Sequence, residues 1–180
     1  TLPLIEALLG EALSNRRPGV NVLMHGAPGT GKTELARLLG KRLGANHFEV
    51  SSQDSKQEPI SGRNRLRAWS AAQVLLGSGG NYLIFDEVED IFSSSLFGRS
   101  VAQENKGWMN QALENNPVPS LWLSNDVESL DPAFVRRFDM VVKIEQPDTR
   151  QRRIIADRLL ELPVSGNLRK RIAATPSLSP

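Results

Sequence analysis

Gly26-Ala27-Pro28-Gly29-Thr30-Gly31-Lys32-Thr33 stands directly after an apolar run, Val20–His25, and directly before a stretch in which Leu35, Leu38, Leu39 and Leu43 recur at helical spacing. The octet fits G-x-x-x-x-G-K-[ST] in full, and a strand before with a helix after is the setting that gives the pattern physical meaning. Glycines let successive backbone N–H groups converge on an anion without Cβ clashes. A helix opening near Gly31 turns its positive dipole end toward the same anion. Lys32 adds a mobile point charge for β- and γ-phosphates, and the Thr33 hydroxyl is a hard oxygen ligand of the kind Mg²⁺ takes. The octet, with Glu34 behind it, reads as a nucleoside triphosphate site.

Outward from this loop the chain alternates. Strand-like runs recur at His47–Val50, Tyr82–Phe85, Leu121–Leu123 and Met140–Ile144, and most are nearly continuous apolar segments, as parallel strands covered on both faces should be. Between them Leu66, Trp69, Ala72 and Leu76 form a second helical stripe, and a third helix is expected over 101–115, closed by Asn116-Pro117. Leu4 to Leu13 reads as a short helix before the first strand. Such alternation implies right-handed βαβ units and a three-layer αβα sandwich on a five-stranded parallel sheet. After Gln146-Pro147 the pattern turns helical: Asp148 or Thr149 caps a basic helix whose Ile155, Leu159 and Leu162 share a face.

A second acidic motif completes the first. Tyr82-Leu83-Ile84-Phe85 reads as a buried strand from which Asp86 emerges at the carboxyl end, where open parallel sheets bind ligands. Asp86 is placed to hold Mg²⁺ beside Thr33, and Glu87 to polarise an attacking water as general base. Glu89 and Asp90 are read as solvated or structural.

Composition removes other chemistries. The 180 residues are 39% hydrophobic and 23% charged, an ordinary globular balance. With no Cys, disulfide scaffolds, thiolate catalysis, Cys-ligated zinc and iron–sulfur chemistry are excluded, and two histidines (His25 and His47) argue against a multi-histidine metal site. Neither a secretory pattern nor an apolar run near the roughly 20 residues of a membrane span occurs, so a cytoplasmic domain without membrane partners is expected. Net charge is +2, too small to argue for nucleic acid. Residues 150–171 hold seven cations against Asp157 and Glu161, a surplus of five, which leaves the rest of the chain at −3.

With these motifs in place the chain resembles the AAA family of ATPases, within the wider AAA+ group, over about residues 15 to 160. Leu121-Trp122-Leu123-Ser124-Asn125 is similar to the family's fourth strand ending in its sensor-1 Asn. Leu130-Asp131-Pro132-Ala133-Phe134-Val135-Arg136-Arg137-Phe138-Asp139 matches its second region of homology. The resemblance implies a P-loop NTPase fold that hydrolyses ATP to ADP and phosphate with Mg²⁺. It also implies that Asn125 orients the hydrolytic water, and that Arg136 and Arg137 act as arginine fingers on the next subunit of a ring, usually a hexamer. By the same resemblance, residues 1–147 form the large ATPase subdomain and 148–180 the beginning of an incomplete helical lid. The isolated chain is then expected to be mostly monomeric and weakly active.

Some segments depart from the family or leave alternatives open. Ile60, in Glu58-Pro59-Ile60-Ser61-Gly62, stands where many members place the aromatic of a polypeptide-gripping pore loop. Arg63, Arg65 and Arg67 read either as a solvated helix start or as a basic pore lining. Leu96-Phe97-Gly98-Arg99 fits a second pore-facing loop or a buried loop anchor. His25 and His47 are read as structural, and Trp69, Trp108 and Trp122 as core. Three functions compete: an ATPase that remodels a macromolecule, a nucleotide-gated assembly module, and a small-molecule kinase. The kinase leaves Leu130–Asp139 unexplained.

Overall fold

The computed structural model describes residues 2–77, 79–93, 100–152 and 154. In chain order the elements are α1 (Leu2–Asn15), β1 (Asn21–His25), α2 (Lys32–Leu43), β2 (Asn46–Glu49), α3 (Gly62–Leu75), β3 (Asn81–Phe85), α4 (Glu89–Phe92), α5 (Val101–Glu104), α6 (Lys106–Asn115), β4 (Ser120–Ser124), α7 (Pro132–Val135) and β5 (Met140–Lys143). The five strands form one sheet in the order β2-β3-β4-β1-β5, and every pairing is parallel. Because β1 lies between β4 and β5, and β3 pairs with β4 on its far side, the carboxyl ends of β1, β3 and β4 open side by side. This is the three-layer α/β arrangement expected from the alternation of apolar runs. No described helix is long and apolar enough to cross a membrane.

Alternation along the central strands divides the core into two layers. Val22, Met24, Ile84, Leu121 and Leu123 pack with Ile5 and Leu9 of α1 and Ala36 and Leu39 of α2. Leu23, Leu83, Phe85 and Trp122 face the other side, against Trp69 of α3, Met109 and Leu113 of α6, and Phe92, Phe134 and Phe138. Trp122 is the hub of this second layer, with ring centroids 5.2 Å from Trp69, 5.2 Å from Phe85 and 5.6 Å from Phe92. Its indole N–H donates to Asn21 Oδ1 at 3.0 Å, which satisfies a polar atom in a buried setting. Asn21 in turn donates to Leu113 O and Asn116 Oδ1, fastening β1 to the end of α6.

Three expectations are corrected. The helix expected over 101–115 is two helices, because Asn105 leaves the helical region (φ −123°, ψ 37°) while its side chain bonds back to Val101 O. Trp108 is not core: it is 45% exposed, one position off the buried stripe made by Met109 and Leu113. Arg65 is neither solvated nor pore-lining, since its side chain is fully buried. The pore-loop reading of 96–99 and almost all of 148–180, where a helical lid is expected to begin, lie outside the described residues. At residues 148–151, Asp148 Oδ1 accepts from Gln151 N–H and Gln151 Oε1 accepts from Asp148 N–H, a reciprocal cap.

Candidate nucleotide site

The phosphate-type loop spans from β1 to α2 across the carboxyl edge of the sheet. Gly26 N–H donates to Ser124 O, tying the loop's first residue to β4. Gly26 has φ 156° and lies so close to Ile144 O that any Cβ would collide, so glycine is required by both conformation and space. Ala27, Pro28 and Gly29 are exposed, and Gly31 enters α2 with φ 84°. Gly31 offers no side-chain cap, so the first N–H groups of α2 are left to a ligand or solvent.

Lys32 is buried at 6% exposure, and its ammonium uses all three donors: Gly26 O at 2.7 Å, Ala27 O at 3.1 Å and Asn125 Oδ1 at 3.0 Å. Burial draws its pKa below the ordinary lysine value, while Asp86 and Glu89 pull the other way. Thr33 Oγ1 donates to Asp86 Oδ2 at 2.7 Å. The structure thus brings Lys32, Thr33, Asp86 and Asn125 from α2, the end of β3 and the end of β4 together as two hydrogen-bonded pairs, Lys32–Asn125 and Thr33–Asp86, joined by the adjacency of Lys32 and Thr33 on α2. Glu87 stands beside them, exposed, with its N–H on Asp86 Oδ1. Its φ of 53° is unusual for a side-chain-bearing residue and costs on the order of 1 kcal/mol.

The remaining expected residues are placed differently. The Glu34 carboxylate is engaged by Arg37 and largely exposed, so only its backbone, in the first turn of α2, belongs to the loop. Arg136 and Arg137 follow α7 at another edge, where with Lys106, Asn110 and Ala133 they line a cavity of about 410 Å³. Arg137 is ion-paired with Glu114. Arg136 Nε donates to Pro132 O at 3.2 Å and has no ion pair among the described residues. Neither reaches the loop of its own chain through any contact among the described residues. His25 closes β1 half-buried, and burial together with Lys143 lowers its pKa, which fits a structural residue.

Two supports were not legible as such. Glu89 Oε1 accepts from Ser124 Oγ, Asn125 N–H and Asp126 N–H, holding the turn that carries Asn125. Arg65 binds the turn that carries Glu87. The sequence signal for Arg65 was its spacing: with Trp69 and Gln73 it falls at i, i+4 and i+8, on the buried face of α3.

The chemistry of these residues fits a nucleotide and its cation. Thr30 Oγ1 is buried in the loop with no hydrogen-bond partner among the described residues, and uncapped helix N–H groups lie beside a buried cation. Thr33 and Asp86 supply two hard oxygens. Among the described residues no group of three or more His, Cys, Asp or Glu could hold a metal by itself, so protein ligands alone make no closed cage here.

Fold and site together define a P-loop nucleotide-binding domain. Residues 22–146 match the family described as "ATPase family associated with various cellular activities (AAA)", and the chain belongs to that family. It is 28% identical over 155 residues to the ATP-dependent zinc metalloprotease FtsH of Mesoplasma florum, covering 81% of this chain and 24% of that protein. It is also 28% identical over 160 residues to the 26S proteasome regulatory subunit 4 homolog of Saccharomyces cerevisiae, covering 82% of this chain and 36% of that protein. The solved FIGL-1 AAA domain, in complex with ADP, superposes with a TM-score of 0.65 at 24% identity, over 95% of this chain and 61% of that one. The chain therefore spans about a quarter to a third of the length of these curated relatives.

Proposed function

We propose that this domain hydrolyses ATP to ADP and phosphate with Mg²⁺, and that in the whole protein it acts on a macromolecule from within a ring. The carrying observation is that two hydrogen-bonded pairs, Lys32–Asn125 and Thr33–Asp86, bring residues of three separate elements together at the start of α2. Lys32 exchanges its loop carbonyls for phosphate oxygens. Thr33 and Asp86 hold the cation, which when bound neutralises charge on the phosphates. Glu87 orients a water and takes its proton, and the Asn125 amide fixes that water's position. Arg136, with Arg137, extends toward the phosphate bound by a neighbouring copy, where a guanidinium opposes charge growing on the transferring oxygens.

A Glu87→Gln protein tests this reading. It should bind ATP with near wild-type affinity and lose roughly a hundredfold or more of its turnover. Wild-type turnover in that variant would remove Glu87 from catalysis. ATP-dependent assembly that persists in that protein, with wild-type turnover already negligible, would favour a nucleotide-gated assembly module instead.

A further inference from the structure

Arg65 is the buried arginine among the described residues, and its guanidinium is committed to one short stretch of chain. Nη2 donates to Asp86 O at 2.5 Å, and Nη1 donates to Glu87 O at 3.3 Å and to Asp90 Oδ2 at 2.8 Å. The guanidinium carbon sits 4.5 Å from the centroid of the Phe85 ring. One side chain therefore touches residues 85, 86, 87 and 90, which together make the turn leaving β3. A turn earlier on the same helix, Gly62 lies against the Asp90 backbone so closely that a Cβ there would sit 2.5 Å from Asp90 O. The first turns of α3 are thus fastened to the strained segment that presents Glu87.

We propose that Arg65 is a positioning residue for Glu87, fixing the orientation of its backbone, and hence of its carboxylate, through the carbonyls of residues 86 and 87. The inference rests on the reading of Glu87 as the base that handles the attacking water. A buried guanidinium needs one carboxylate to balance its charge, and Asp90 supplies it. The two carbonyl bonds are additional, and both go to the residues that present the site. Nε finds no partner among the described residues, so the arrangement leaves one donor unsatisfied while holding both carbonyls. A lysine keeps the charge but is a single point, without the planar fork that spans two carbonyls and a carboxylate or the flat face that stacks on Phe85. Glu87 keeps a positive φ only while its surroundings over-determine it.

The test compares Arg65→Lys, Glu87→Gln and the double variant, with ATP titration, steady-state turnover and melting of each. Arg65→Lys should lower kcat by about tenfold or more while KM and ATP affinity stay within about twofold. In the Glu87→Gln background the same change should cost less than about twofold further, because a residue acting through Glu87 has nothing left to position. An unchanged kcat in Arg65→Lys, or a loss that multiplies fully with that of Glu87→Gln, overturns the inference. Wild-type turnover in Glu87→Gln alone overturns the functional reading itself, so the two failures are distinct. If Arg65→Lys does not fold, Asp90→Asn replaces it: the Asp90 side chain is 49% exposed and holds the same guanidinium. It should lower kcat about threefold to tenfold at unchanged KM, with the same non-additivity, and an unchanged kcat there also overturns the inference.

Discussion

Thr33 Oγ1 and Asp86 Oδ2 lie 2.7 Å apart, joining the first turn of α2 to the carboxyl end of β3. The two residues are 53 positions apart in sequence and come together because β3 and β1 flank β4 in one parallel sheet. Parallel strands deliver their carboxyl ends to the same edge, so a helix following one strand and an acid following another meet there. The bond is also the pair of hard oxygens that a divalent cation would share.

Replacing Asp86 by Asn therefore separates cation-linked binding from folding. Asn retains an acceptor for Thr33 but loses the charge, so the melting temperature should fall by no more than a few degrees, reflecting about 1 kcal/mol. The gain in ATP affinity from added Mg²⁺ should shrink by about tenfold or more. Nucleotide titrations with and without EDTA measure both terms, and an undiminished Mg²⁺ effect would remove Asp86 from the cation site.

Lys32 gives a prediction in which stability and binding part company. Its folded-state pKa is lowered by burial, so between that value and the ordinary lysine value the unfolded chain binds more protons, and stability rises with pH. At neutral pH the buried ammonium is thus a cost to the ligand-free protein. Lys32→Met should melt within about 3 °C of wild type, relief of the buried charge offsetting the lost bonds to Gly26 O, Ala27 O and Asn125 Oδ1. Nucleotide at a hundredfold excess over Kd should stabilise wild type by about 2.7 kcal/mol, or roughly 5–10 °C, and the variant hardly at all. A full ligand-induced shift in Lys32→Met would exclude the lysine from phosphate binding.

Most of this architecture was legible because it rests on local signals. Buried parallel strands announce themselves as apolar runs, and β1, β3 and β4 are almost entirely buried. β2 was the faintest, an edge strand in which Phe48 is 44% exposed. The loop octet and Asp86 were legible because their chemistry demands fixed spacing. Arg65 and Glu89 were not, since each looks like one charge in a run of charges. What sets them apart is the partner each finds across the fold, and in Arg65 the i+4 spacing to Trp69 was the sole local hint. Trp108 misled for the opposite reason: an apolar side chain beside a buried stripe is not on it.

Asp131 ties stability to acid pH. It caps α7 through Ala133 N–H, and Gln103 Nε2 donates to it from α5 at 2.9 Å. That side-chain bond, then the backbone N–H, hold its carboxyl below the usual aspartate value. A depressed carboxylate adds stability that is fully present above pH about 4 and is lost as pH falls through the lower folded value. Asn caps nearly as well as Asp, so Asp131→Asn should cost about 0.5–1 kcal/mol at pH 7. It should also flatten the acid limb of the stability curve below pH about 4, as read by urea unfolding across pH. An unchanged acid limb would mean that Asp131 is not depressed in the folded state.

Arg136 and Arg137 divide between a structural and a reaching role. Arg137 is held by Glu114 of its own chain, whereas the Arg136 side chain donates to the Pro132 carbonyl of its own helix and forms no ion pair among the described residues. Of the two, Arg136 is freer to extend toward a neighbouring copy. Arg136→Ala should therefore cut turnover about a hundredfold or more, and Arg137→Ala several times less. ATP affinity should change little in either, because neither side chain contacts the loop of its own chain among the described residues. If the arginine acts across an interface, mixing Glu87→Gln protein with Arg136→Ala protein restores turnover, since an intact Glu87 in one copy then meets an intact Arg136 from the next. Specific activity of the wild type should likewise rise with protein concentration. Failure of the mixture to exceed its components, with activity strictly proportional to concentration, would confine catalysis to a single copy and leave Arg136 as a surface cation.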